Sequence, residues 1–95
     1  MDEIFWTDTA LQDLIDIGTF IAADSPRSAE NVVRRIVETV GALAFQPRMG
    51  RIGRDDSTRE IIVRGTPYIA VYRLRERIEI VTIFHMSREW PERFA

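Results

Sequence analysis

Residues 25–47 read SPRSAENVVRRIVETVGALAFQP and predict the clearest helix of the chain. Ser25 can cap the N-terminus of this helix, and Pro26 suits its first position. Pro47 cannot continue a helix, so we expect the helix to end before it. The helical spacing of the apolar residues predicts one core-facing side, formed by Ala29, Val32, Val33, Ile36, Val37, Val40, Leu43 and Ala44.

A second helix is predicted directly before the first. Thr7 can cap it, and Asp8 lies in the first turn, where the helix dipole favours an acid. Gly18 costs the helix about 1 kcal/mol relative to alanine, which indicates close packing at that point. Because only about one residue near Asp24 separates the two helices, they should form an antiparallel hairpin. The apolar stripe is unusually wide and contains Leu11, Leu14, Ile15, Ile17, Phe20, Ile21 and Ala22.

The rest of the chain predicts strands. Residues 3–6 can form a short strand, and residues 46–57 form a loop rich in glycine and arginine. Three β-rich runs follow at residues 58–64, 68–74 and 78–86. Their connections are too short for parallel crossovers, so they should pair as an antiparallel meander. The expected fold class is α+β, with a short N-terminal strand and a two-helix antiparallel hairpin packed on one face of an antiparallel sheet.

Length and composition limit the possible functions. A chain of 95 residues forms one domain, residues 1–95. It has no cysteine and one histidine, so we expect no disulfide, no metal site and no cofactor. The acidic N-terminus does not resemble a secretory signal, and no apolar run approaches the ~18 residues of a membrane span. The sequence therefore predicts a cytoplasmic protein that does not enter a membrane.

Charge is divided between the two halves of the chain. Residues 1–47 hold eight acidic residues and three arginines, a net charge of −5, whereas residues 48–95 hold seven acidic residues and ten arginines, a net charge of +3. Every basic residue is arginine, which suits bidentate contact with carboxylates or phosphates. Codon bias is the simpler explanation of the absence of lysine. The basic half can nevertheless face an acidic partner.

Particular residues within this order of elements resemble the RelE/ParE toxin superfamily across nearly the whole chain. Each motif alone is weak, whereas their order and spacing together are specific. The residues that carry the resemblance are Ala10, Asp13-Leu14, Ile17, Ser25-Pro26, Pro47-Arg48-Met49-Gly50-Arg51, Thr58-Arg59-Glu60, Gly65-Thr66-Pro67-Tyr68, Val71-Tyr72-Arg73, His85 and Arg88-Glu89-Trp90-Pro91.

The resemblance implies the toxin of a type II toxin–antitoxin pair. It implies gyrase poisoning in the ParE branch and ribosome-dependent mRNA cleavage in the RelE branch. RelE-type nucleases usually carry an arginine early in the third strand and a tyrosine near the C-terminus, where this chain has Pro67-Tyr68 and Glu89-Trp90-Pro91. An indole N–H does not ionise near neutral pH, so Trp90 cannot replace the tyrosine as an acid. These departures favour the ParE branch, with no catalytic residues of its own.

The resemblance also implies partners. A ParD-like antitoxin is expected to lie across the helical hairpin and along the sheet, with DNA gyrase as the target and operator DNA contacted only through the antitoxin. The expected antitoxin-binding residues are Leu11, Leu14, Phe20 and Tyr72. The expected target-binding residues are Arg88, Trp90, Arg93 and Phe94, because tryptophan with arginine is typical of interface hot spots.

Two alternatives remain. If the chain is a nuclease, the candidate residues are Arg59, Glu60, His85 and Arg88, as phosphate clamps and general base. A simpler interpretation makes His85 a structural residue at a strand end and Arg59-Glu60 an ion pair on the sheet. The second alternative is a non-toxic corepressor that only binds the antitoxin.

Overall fold

The computed structural model describes residues 2–87. Two helices pack on one face of a five-stranded sheet whose strand order is β1-β5-β4-β3-β2. The elements in chain order are β1 (Ile4–Trp6), α1 (Asp8–Ala22), α2 (Pro26–Ala42), β2 (Arg51–Ile52), β3 (Arg59–Ile62), β4 (Tyr68–Leu74) and β5 (Ile78–His85). The predicted α+β class and helical hairpin are confirmed.

The helices begin where the sequence predicts. Thr7 Oγ1 accepts a hydrogen bond from the Ala10 backbone N–H at 3.1 Å, and Ser25 Oγ accepts one from the Ser28 N–H at 3.2 Å. Close packing at Gly18 is confirmed, because a Cβ built there would lie 3.3 Å from Val33 Cγ2 of α2. A side chain at position 18 would therefore press against Val33 at the helix crossing.

The sheet is mixed, a detail that differs from the expected all-antiparallel arrangement. Strands β3, β4 and β5 form the predicted antiparallel meander, but β1 pairs parallel with β5. Thr7 fixes this pairing, because its backbone N–H and its hydroxyl both donate to the Ile80 carbonyl, at 3.2 and 2.7 Å. Strand β2 lies inside the predicted 46–57 loop and pairs with β3 through Arg51 and Ile52.

Apolar side chains are buried on both faces of the sheet. The helix-facing cluster includes Ile36 and Val40 of α2 and Tyr68, Ala70 and Tyr72 of β4. Ile69, Val71, Val81 and Phe84 form a second cluster on the opposite face. At Val81 the register between β4 and β5 shifts by one residue, so β5 contains a bulge there. Next to this bulge, the Thr82 hydroxyl donates a hydrogen bond to Asp13 of α1.

Within the described residues, neither helix has the length and apolar character required to cross a bilayer.

Candidate functional site

Helix α1 exposes large apolar side chains on two flanks. Leu11, Ile15 and Phe20 are exposed, with Ile15 at 59% and Phe20 at 69%. A helix turns by about 100° per residue, so Phe20 projects from the flank opposite Leu11 and Ile15. Leu14, expected to share their surface, is half-buried and packs against the core. One partner that contacts both flanks must therefore cross α1.

Tyr72 does not lie on this surface. Its side chain is fully buried in the core below the helices. Its hydroxyl accepts a hydrogen bond from the Gly50 N–H at 2.9 Å and donates one to the Pro47 carbonyl at 2.7 Å. Tyr72 is therefore a structural residue that fixes the loop before β2, and the expectation that it binds the antitoxin is corrected.

A groove of about 610 Å³ runs between the second half of α2 and the β2–β3 sheet edge. The two residues of β2 pair only with Arg59 and Glu60, so the end of β3 at Ile61 and Ile62 continues past them. Ala42, Met49 and Ile62 contribute apolar surface, and Arg35, Arg51 and Arg64 surround it. Sequence patterns did not predict this groove, because its two sides come from elements about twenty residues apart.

A smaller cavity of about 320 Å³ lies beside α1 at the far end of β5. Its lining combines titratable and apolar side chains from three elements: Asp13, Asp16, Ile17, Phe20, Tyr68, Ile83 and His85. The rings of Tyr68 and His85 meet edge to face, with centroids 5.4 Å apart. Asp13 was recognised in the sequence only as part of the family pattern. An acid beside a core-facing apolar stripe is the one signal that could have revealed this cavity.

The nuclease candidates within the described residues are not brought together. Glu60 pairs with Val71 and His85 pairs with Tyr68, and neighbouring residues of a strand point to opposite faces of the sheet. Glu60 therefore faces away from the helices, whereas His85 lies on the helix side. The two candidate general bases therefore lie on opposite faces of the sheet and cannot both act on one substrate bond.

Glu60 and Arg59 instead hold the arginine-rich loop. The nearly buried Glu60 carboxylate accepts from Arg51 Nη2 at 3.3 Å and from the Arg54 backbone N–H at 3.1 Å. Arg59 Nη1 donates to the Gly50 and Arg48 carbonyls, at 2.7 and 3.2 Å. The expected Arg59–Glu60 ion pair does not form, because each side chain binds the loop on its own face of the sheet.

Residues 4–90 match the model of a protein family described as the ParE toxin of the type II toxin–antitoxin system parDE. This match spans most of the chain. The chain belongs to the ParE toxin family.

A similar protein and a solved structure support the assignment of this chain to the ParE toxins. A Sinorhizobium fredii (strain NBRC 101917 / NGR234) protein named "Putative toxin Y4kP" is 45% identical over 89 residues, which cover 94% of this chain and 93% of the relative. A solved structure titled "Chromosomal ParDE TA system from P. aeruginosa" superposes with a TM-score of 0.79 at 27% identity. It covers 90% of this chain and 96% of the solved chain. The resemblance to ParE toxins inferred from sequence is thereby confirmed.

The four expected target-binding residues of this ParE toxin lie outside the described residues. They are Arg88, Trp90, Arg93 and Phe94, of which Arg88 was also a nuclease candidate. Their assignment remains a prediction from the sequence.

Proposed function

We propose that this ParE toxin poisons DNA gyrase by binding it and carries out no bond-breaking chemistry of its own. The observation that carries the proposal is the match of residues 4–90 to the ParE toxin family, and the separation of the two candidate bases, Glu60 and His85, agrees with it. Glu60 is also occupied by the Arg51 and Arg54 contacts. In this proposal gyrase cleaves the DNA, and the toxin holds gyrase in its cleaved state through Arg88, Trp90, Arg93 and Phe94.

We further propose a ParD-like antitoxin as the neutralising partner, acting in the cytoplasm. Leu11, Ile15 and Phe20 offer the exposed apolar surface that an amphipathic helix requires. The groove between α2 and the sheet edge offers a second, separate surface beside β3. The antitoxin would contact operator DNA, and the toxin would reach DNA only through it.

Two assays with purified toxin separate gyrase poisoning from mRNA cleavage. Gyrase, supercoiled plasmid and ATP are incubated with the toxin, and protein-linked cleaved DNA is measured after detergent and protease treatment. Ribosome-bound mRNA is incubated with toxin in parallel and examined for cuts. We expect cleaved plasmid and intact mRNA. Codon-specific mRNA cuts with unaffected gyrase would overturn the proposal.

His85→Ala provides a matched variant for both assays. Removal of a general base costs on the order of 10²–10⁴ in rate, so a nuclease should lose nearly all activity. A gyrase poison whose His85 is structural should keep its plasmid cleavage. Growth after induction, with and without the adjacent antitoxin gene, tests toxicity itself. Normal growth in both cultures would favour the non-toxic corepressor.

A further inference from the structure

The cavity between α1 and the far ends of β4 and β5 contains polar groups that the fold does not use. Strand β1 pairs with β5 only as far as Ile80. After Ile80, α1 contacts β5 through Asp13. Its Oδ2 accepts hydrogen bonds from the Ile83 N–H at 3.0 Å and from the Thr82 hydroxyl at 2.5 Å. Both bonds use the same oxygen. Among residues 2–87, no hydrogen bond reaches Asp13 Oδ1, which leaves that oxygen available within the cavity.

Tyr68 provides the second observation. It is only 6% exposed and lines the cavity, yet its hydroxyl makes no hydrogen bond within the described part of the chain. No fully enclosed side-chain oxygen or nitrogen among those residues lacks a partner, so the Tyr68 hydroxyl must reach the cavity opening. A buried tyrosine usually bonds its hydroxyl, so this hydroxyl is able to bond a polar group that enters the cavity.

The charges around the cavity have one sign. Helix α1 carries Asp8, Asp13 and Asp16 and no basic residue. Asp16 uses Oδ1 to accept from Gln12 Nε2 at 2.8 Å, and its Oδ2 makes no hydrogen bond within residues 2–87. The described residues that line the cavity include no arginine. Two carboxylates facing the same small volume therefore make it attractive to a cation.

The fourth polar group of the cavity is His85. Its Nδ1 accepts a hydrogen bond from the Ser87 N–H at 3.1 Å, which assigns the ring proton of the neutral form to Nε2. The apolar remainder of the wall comes from Ile17 and Ile83, and the exposed Phe20 ring stands at the opening. An apolar wall with acceptors at its end fits a long side chain that ends in a cationic group.

We propose that this cavity binds the guanidinium of an arginine from the antitoxin segment that lies along α1, an inference that rests on the proposed function. Arginine fits better than lysine because its planar fork donates to several acceptors at once, here Asp13 Oδ1, Asp16 Oδ2 and the Tyr68 hydroxyl. Phe20 can stack on the guanidinium at the opening. The contact selects a basic partner where the apolar flank alone would accept any amphipathic helix.

Binding of the ParD-like protein encoded beside this chain tests the inference by calorimetry. Asp16→Asn should weaken the affinity about tenfold, because one charged partner of the guanidinium is lost. Glu30→Gln is the matched control. It removes one exposed carboxylate from α2, outside the cavity, and should leave the affinity within about twofold.

A double-mutant cycle then identifies the arginine. Each antitoxin arginine is changed to glutamine and measured against wild-type toxin and against Asp16→Asn. One of them should weaken binding to the wild-type toxin and lose most of that effect against Asp16→Asn. Unchanged affinity of Asp16→Asn, or additive effects at every antitoxin arginine, would overturn the inference while leaving antitoxin binding intact.

Failure of the antitoxin to bind at all would instead refute the antitoxin part of the proposed function. The cavity is then tested with N-acetyl-arginine amide, and N-acetyl-citrulline amide serves as the uncharged control. Saturable shifts of the Asp16, Ile83 and His85 amide NMR signals with the arginine compound alone would support a guanidinium site. Equal or absent shifts with the two compounds would overturn it.

Discussion

Tyr68 and Tyr72 lie on the same face of β4 and are both buried, but their hydroxyls have different environments. The Tyr72 hydroxyl joins the Pro47 carbonyl to the Gly50 N–H, whereas the Tyr68 hydroxyl opens into the cavity beside α1. Gly50 permits the Tyr72 contact, because a Cβ at position 50 would lie 2.7 Å from the hydroxyl oxygen. The period of a strand predicts which residues share a face, but it does not predict which hydroxyl finds a partner.

We expect Tyr72→Phe to lower the free energy of unfolding by about 1–3 kcal/mol, because it leaves a buried N–H and carbonyl without their partner. Tyr68→Phe is the matched control and should change stability little, since its hydroxyl bonds nothing in the described chain. Urea denaturation of both variants at neutral pH measures the difference. Equal stability of the two variants would contradict the role assigned to the Tyr72 hydroxyl.

Tyr72 also predicts a pH dependence. Burial raises the pKa of Tyr72 above its ordinary value of 10.0, because the ionised ring would lose its hydration. Its contribution to stability is therefore complete below the unfolded pKa and is lost as the pH rises through the higher folded pKa. Wild-type stability should fall above about pH 10, and this part of the fall should disappear in Tyr72→Phe. Denaturation curves across that range measure both.

At the scale of elements, the sequence correctly predicted the features that depend on residues close together in the chain. The caps at Thr7 and Ser25, the hairpin and the β3–β4–β5 meander follow from nearby residues. The parallel partner of β1 could not be predicted, because Ile4–Trp6 meets Ile78–Ile80 across more than seventy residues. Strand β2 contains only two residues and is too short to show alternation. The cavity beside α1 was missed because three distant elements form it.

Asp13 attaches α1 to the part of β5 that β1 does not cover. We expect Asp13→Ala to lower the free energy of unfolding by about 1.5–3 kcal/mol, because the charged acceptor of the Ile83 N–H and the Thr82 hydroxyl is lost. Asp16 lies one turn further along α1 and bonds only Gln12. Asp16→Ala should therefore lower the free energy of unfolding by less than about 0.5 kcal/mol. Urea denaturation compares them. Faster hydrogen exchange of the Ile83 amide in Asp13→Ala, but not in Asp16→Ala, would show that the loss of stability arises at the contact between α1 and β5.

At the scale of the whole molecule, the proposed partners use different parts of the chain. The apolar flanks of α1 and the two carboxylates of the cavity belong to the acidic half, and the expected gyrase-binding residues belong to the basic half. Residues 1–47 carry a net charge of −5, which favours the approach of a basic antitoxin segment to α1. Toxicity and neutralisation should therefore respond to different substitutions.

This separation predicts opposite effects of two double variants. Leu11→Ser with Phe20→Ser should keep gyrase poisoning but escape the antitoxin, because both side chains are exposed and their loss removes apolar contact area without opening the core. Trp90→Ala with Phe94→Ala should lose poisoning and still bind the antitoxin. Truncation of an aromatic side chain at the centre of an interface can lower the free energy of binding by more than ~2 kcal/mol. Truncation of an aromatic side chain in the core lowers the free energy of unfolding by ~3–5 kcal/mol.

Thermal melting, antitoxin affinity and plasmid cleavage by gyrase are measured for each variant. Phe45→Ser is the control, since Phe45 is exposed and lies outside both proposed surfaces; it should retain both activities. A tail variant that melts far below the wild type would show that Trp90 and Phe94 belong to the core. If either double variant loses both activities at unchanged stability, the two partners share one surface. The antitoxin would then neutralise the toxin by direct competition with gyrase.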